Sequence, residues 1–62
     1  MSENFGSRLR AFRKKAGLTQ EQLAEAVGVN PITISWWENN KYLPKTQSIK
    51  ALAMALGVSE AD

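Results

Sequence analysis

The sequence has no cysteine and no histidine among its 62 residues. Disulfides are excluded, and a zinc site would have to be built from carboxylates alone, a poor ligand set for that ion. The thiol nucleophile and the imidazole base are excluded with them. There is no glycine-rich phosphate loop, and the carboxylates are scattered. Glu21 and Glu25 share a helix face, but no cation or electrophile lies near them in sequence. These absences point away from an enzyme and from any cofactor, metal or small-molecule ligand. No apolar run approaches the ~20 residues that span a bilayer. The opening Met1-Ser2-Glu3-Asn4 lacks the basic start and apolar stretch of a secretory signal. A single soluble domain over residues 1–62, with no membrane partner, is the expectation. A chain this short buries only roughly 60% of its unfolded surface, so its core is small.

Charge excess is also scant, at +2, and its distribution says more than its sum. Arg8, Arg10, Arg13, Lys14 and Lys15 fall in the first 20 residues, beside one acid, Glu3. The next 20 hold Glu21, Glu25 and Glu38 and no base, and Lys41, Lys45 and Lys50 follow. Two basic segments flanking an acidic middle make either a positive rim or an ordinary solvated surface.

What is present is helical punctuation. Phe5, Leu9 and Phe12 at i, i+4, i+7 predict an amphipathic helix over about 4–15, stopped by Gly17. Thr19 with Gln22 three residues on is a capping box, and Leu23, Ala24 and Val27 give a helix over 20–27 ending at Gly28. Asn30-Pro31 reads as an N-cap followed by proline at the first helical position, opening a helix over 31–38. Asn39-Asn40 closes it, since asparagine tolerates the left-handed conformation. Thr46 is the expected cap of a fourth helix over 46–56, with Ile49, Leu52, Ala53 and Leu56 as its apolar stripe. Ser59 reads as the start of a fifth helix, cut short at residue 62. The fold class is therefore all-α, with four to five helices.

Helices 20–27 and 31–38 are joined by Gly28-Val29-Asn30. Two short helices with such a turn make a helix-turn-helix, which places its second helix in the DNA major groove. Val29 is a lone apolar residue able to plug the space between them. At about 100° per residue, Ile34 and Trp37 fall on the core side of the second helix, with Glu38 alongside. Ile32 and Trp36 fall opposite, flanked by Thr33 and Ser35. One tryptophan is thus core and the other is presented.

The set Leu9-Arg10-Ala11-Phe12-Arg13, Gly17-Leu18-Thr19-Gln20, Leu23-Ala24, Val27-Gly28-Val29, Ile34-Ser35, Glu38 and Leu52-Ala53-Leu56-Gly57-Val58-Ser59 resembles the lambda-repressor-like family of phage repressors, Cro proteins and Xre-type regulators. The resemblance covers essentially the whole chain. It implies five short helices whose third reads double-stranded DNA, and a transcriptional regulator, foremost a repressor, in the cytoplasm of a bacterial cell or a phage-infected host. Pro31, Ile32, Thr33, Ser35 and Trp36 match the base-reading positions. Gln20 matches a phosphate-contact position, and Asn39 and Lys41 match the segment that grips the backbone after the reading helix, with Lys45 close behind. Arg13 and Glu38 match an ion pair tying the first helix to the third. A homodimer on a two-fold operator is the implied assembly. Two features depart from the family: Pro31, Ile32 and Trp36 replace polar reading residues, and Asn40 stands where glycine is usual. An exposed Trp36 and Ile32 equally suit a protein-interaction module on the same fold, so that reading stays open.

Overall fold

The computed structural model describes residues 4–58. They form four α-helices: α1 (Phe5–Lys15), α2 (Gln20–Val27), α3 (Pro31–Glu38) and α4 (Thr46–Leu56). No strand occurs among the described residues. The all-α expectation holds, and each boundary agrees with the sequence reading to within one residue. The fifth helix expected from Ser59 lies outside the described residues.

Local chemistry sets most of the starts. Asn4 is the N-cap of α1, its Oδ1 accepting from the Ser7 amide at 2.9 Å. The capping box of α2 is complete: the Gln22 amide donates to Thr19 Oγ1 at 3.0 Å and the Thr19 amide to Gln22 Oε1 at 2.9 Å. Asn30 caps α3 by backbone position alone, without a side-chain bond. One expectation is corrected. Lys45, not Thr46, is the N-cap of α4, because the first helical bond runs from the Ile49 amide to the Lys45 carbonyl at 2.9 Å. Thr46 is already the first helical residue.

All four helices stop by one device. A residue in the left-handed region turns the chain, and the next amide reaches back five residues to a free carbonyl. Leu18 bonds to Arg13, Val29 to Ala24, Lys41 to Trp36 and Val58 to Ala53, at 2.9–3.1 Å. Three of these turns use glycine; the fourth uses Asn40, with φ 60°. Its side chain has a second task that glycine lacks. Asn40 Oδ1 accepts from the Gly6 amide at 3.0 Å, one of the donors that the first turn of α1 leaves unpaired.

Leu9, Leu23, Ala24, Ile34, Trp37 and Leu52 form the core, so every helix contributes at least one buried side chain. Leu23 and Ile34 are wholly buried, and Leu18, Val27 and Val29 pack against the cluster from the connections and the end of α2. The helix α2 packs on α3 and α4, while α1 packs on α3. Val29 does fill the turn between the two central helices, as its isolation in sequence suggested.

At Gly6 two backbones come close together. A Cβ there would stand 2.2 Å from the Glu38 carbonyl oxygen, so backbone meets backbone where α1 crosses the end of α3. Alanine is the better helix former by about 1 kcal/mol, but a carbonyl cannot step aside as a side-chain tip does. Overpacking costs about 1–3 kcal/mol. Gly6→Ala should therefore lower the melting temperature, by about 4–8 °C for each net kcal/mol lost. Thermal denaturation checks this; an unchanged or raised midpoint would show that α1 is not seated on α3.

Candidate nucleic-acid interface

The outward face of α3 follows from what its inward face must bury. Ile34 is wholly buried and Trp37 is 5% exposed, while Ile32 is 52% exposed. Pro31 is exposed at the first helical position, and Thr33, Ser35 and Trp36 are half-buried along the flank. The five expected reading residues thus lie on one short helix, with Ile32 and Trp36 turned away from the core pair. Polar groups are few on this face. Ser35 is already engaged, because Asn39 Nδ2 donates to its carbonyl at 2.9 Å and lies 3.3 Å from its Oγ.

Trp36 is not isolated. The chain turns at Asn40 and comes back along α3, which brings the Tyr42 ring edge-on to the indole at a centroid distance of 5.1 Å and 70° between planes. Lys41 Nζ lies 5.9 Å from the indole centroid, within reach of its electron-rich face. Tyr42 was not singled out from the sequence; no periodicity marks a residue whose place depends on the turn before it.

Of the expected backbone contacts, Lys41 and Lys45 are exposed, Lys45 at the N-cap of α4. Gln20 is placed differently from a free surface amide. Its Nε2 donates to Glu38 Oε1 at 3.0 Å, which leaves its second N–H and its carbonyl oxygen for other partners. Lys14 and Lys15 sit in the last turn of α1, where the helix dipole favours cations whatever else they do.

Beneath this face lies a buried carboxylate. Glu38 is 4% exposed, and its Oε2 accepts from Arg13 Nε at 2.6 Å. Its Oε1 accepts from Gln20, from Arg13 Nη2 at 3.3 Å and, at a long 3.4 Å, from Arg10 Nε. Arg13 Nη1 continues to the Leu18 carbonyl at 2.8 Å, so one guanidinium ties α1, the α1–α2 connection and the end of α3 together. The expected Arg13–Glu38 pair is present. Arg10 and Gln20 join it unanticipated, although Arg10 stands three residues before Arg13 and so shares its helix face. Burial alone would raise the Glu38 pKa; hydrogen bonds from Arg13 and Gln20, the Arg13 charge and Arg10 outweigh it and hold the carboxyl below its ordinary range. Among the described residues, no group of three or more His, Cys, Asp or Glu is placed to hold a metal, and no helix is long and apolar enough to cross a membrane.

With this geometry in place, the likeness to known proteins is extensive. The family model for helix-turn-helix proteins matches residues 9–62. The chain is 41% identical to the repressor protein C2 of Salmonella phage P22 over 54 residues, which is 87% of this chain and 25% of that protein. It is 47% identical to the HTH-type transcriptional repressor RghR of Bacillus subtilis over 57 residues, 90% of this chain and 42% of that one. The chain thus spans less than half the length of either relative. Among solved structures, the P22 c2 repressor in complex with a synthetic operator superimposes with a TM-score of 0.91 at 37% identity, covering 95% of this chain and 89% of that one.

The Glu38 cluster sets an expectation in acid and another by mutation. Its lowered pKa adds stability that is complete above the ordinary carboxylate range, and this fades as the pH falls through and below that range. Removing one partner of a buried pair costs about 3–5 kcal/mol; Arg10 and Gln20 remain on Glu38, so Arg13→Ala should cost about 3 kcal/mol. That corresponds to a fall of roughly 12–24 °C in a domain of this size. Melting curves of both proteins from neutral pH to pH 3 check it. The gap should narrow as Glu38 protonates, and a gap independent of pH would deny the pair its electrostatic role.

Proposed function

This chain belongs to the helix-turn-helix family, and we propose that it is a sequence-specific DNA-binding domain that acts in transcriptional regulation, foremost as a repressor. The single observation that carries this is the division of α3: Ile34, Trp37 and Glu38 are buried inward, while on the opposite side Ile32 is exposed and Trp36 half-buried. A recognition helix needs that division, with one face fixed to the scaffold and the other open to base edges. The relative in complex with an operator supports the same use of the same scaffold. The chain works as one domain by binding, not catalysis, in the cytoplasm of a bacterial or phage-infected cell.

Pro31, Ile32, Thr33, Ser35 and Trp36 are the reading set, and Gln20, Asn39, Lys41 and Lys45 the backbone set. Glu38 holds one Gln20 N–H, so the remaining N–H is the one offered to a phosphate. Asn39 Nδ2 is tied back to Ser35, and its phosphate contact takes the N–H now turned to Ser35 Oγ at a long 3.3 Å. A single module of this kind buries only roughly 600–1,000 Å² on DNA. Two copies on a two-fold operator, with half-sites about 34 Å apart, supply the missing affinity.

Phosphate contacts make binding steeply salt-dependent, each contributing about −0.9 to the slope of log K against log salt. Lys41→Ala and Lys45→Ala should each weaken binding to every sequence alike and flatten that slope by about one. Fluorescence anisotropy over a salt series checks this, and an unaltered slope in both variants would leave the lysines as plain surface.

Base reading by Ile32 and Trp36 should be largely apolar. Neither offers a bidentate hydrogen-bond pair, and the thymine methyl is the apolar feature of the major groove. A duplex selected from a random pool, then remade with uracil for each thymine in turn, isolates that methyl. One or two positions should lose about fourfold, the worth of one buried methyl-sized group, and Ile32→Ala or Trp36→Ala should abolish the sensitivity. If every thymine tolerates replacement while Trp36→Ala still binds normally, the outward face serves a protein partner. Exposed Leu43, at 72%, gives that second reading its support.

A further inference from the structure

We propose that Tyr42 is a positioning residue for sequence discrimination, holding the Trp36 indole in one orientation on the outward face of α3. The inference rests on the DNA-binding reading above and names a specificity determinant within that site.

Two outward side chains do the apolar reading, and they differ in stiffness. Ile32 is β-branched and restricted at χ1 by its own helix. Trp36 is not branched at Cβ, so its large ring needs an external support to stay in one pose. The fold supplies one through the turn that ends α3. Asn40 adopts φ 60°, the Lys41 amide bonds back to the Trp36 carbonyl at 2.9 Å, and the chain then runs beside the residue it has just left. Tyr42 lands edge-on to the indole at 5.1 Å. Tyr42 is 54% exposed, so it adds little to the core. What it touches is Trp36. Edge-to-face geometry uses the ring and not the hydroxyl, so phenylalanine should serve as well.

The consequence is pre-organisation. A rotamer-rich side chain that is ordered only on binding spends affinity on that ordering, and one already braced does not. The saving applies wherever the braced pose fits and is lost where it clashes, so bracing sharpens the contrast between matched and unmatched sites. The Lys41 ammonium lies 5.9 Å from the centroid of the same indole. The cation expected on a phosphate and the ring expected on a base edge therefore share one cluster.

The test compares two duplexes of equal length, one carrying the best site selected by the wild-type protein and one of random sequence. Tyr42→Ala should lower the ratio of selected-site to random-site affinity by about twofold to tenfold, the range of one aromatic pair. Random-site affinity and melting temperature should barely move, and Tyr42→Phe should restore the ratio. In a Trp36→Ala background, Tyr42→Ala should have no further effect on the ratio, since its action passes through the indole. In the DNA-free protein, Tyr42→Ala should shift the Trp36 indole N–H resonance and leave that of Trp37 in place. Full discrimination by Tyr42→Ala, equal losses with and without Trp36, or a uniform loss in Tyr42→Phe (a phosphate contact through the hydroxyl) would each overturn the inference. A wild-type protein that does not discriminate at all would overturn the DNA-binding reading, and the inference with it.

Discussion

The structure depends on one carboxylate. Glu38 ends α3 inside the protein, where an ionised group is costly unless every lone pair has a partner. Its partners come from two other helices: Arg13 and Arg10 from α1 and Gln20 from the start of α2. An ion pair of this sort is weak evidence for net stability, since an apolar set of equal shape often does as well. Its effect here is geometric. Hydrogen bonds have directions, and those meeting at Glu38 fix where α3 ends relative to α1 and α2. The contact at Gly6 fixes the same junction from the backbone side, and Asn40 closes it by accepting the Gly6 amide. Charge, close packing and a cap therefore act on one spot, and a slip there has three costs at once.

That constraint explains how so short a helix can present a face at all. Eight residues do not hold a helix in water on their own. The helix α3 persists because Ile34 and Trp37 are buried and its last residue is clamped, which leaves the other face free of structural duty. Gln20 links the two regions. It stands at the start of α2, where a backbone contact is expected, and it is held by the same carboxylate that clamps α3. Scaffold and proposed interface are therefore one hydrogen-bond network, not two sets of residues.

Much of this was legible in the sequence, and what was not shares a cause. Element limits were readable because caps and stops are local: Thr19 with Gln22, Asn30 with Pro31, and glycine after the last apolar residue. The division of α3 was readable from 3.6-residue periodicity, which put Ile34 and Trp37 opposite Ile32 and Trp36. The Arg13–Glu38 pair needed the family resemblance, since nothing local links residues 25 apart. The remaining features arise only when distant segments meet. Gly6 reads in sequence as a weak spot in a helix, and only the crossing with α3 shows that a side chain has no room. Gln20 and Arg10 look like free surface groups until Glu38 is brought beneath them. Ser35 and Asn39 look like two independent polar contacts until one is seen bonded to the other. The Thr46 cap was misplaced by one residue because threonine is the better capping side chain, whereas α4 starts without a side-chain cap and the Ile49 bond to the Lys45 carbonyl alone sets its limit.

The central claim is that the carboxylate-clamped junction presents the outward side of α3 and the segment after it to DNA. Amide and indole resonances followed by NMR through a titration with duplex DNA test this most directly, because they locate the contact without presuming a sequence. The account predicts that the largest changes fall at Gln20, along residues 31–36 and through residues 39–45, with the Trp36 indole moving more than that of Trp37. Changes centred on the exposed side of α4 around Met54, or none at all at low salt, would contradict it.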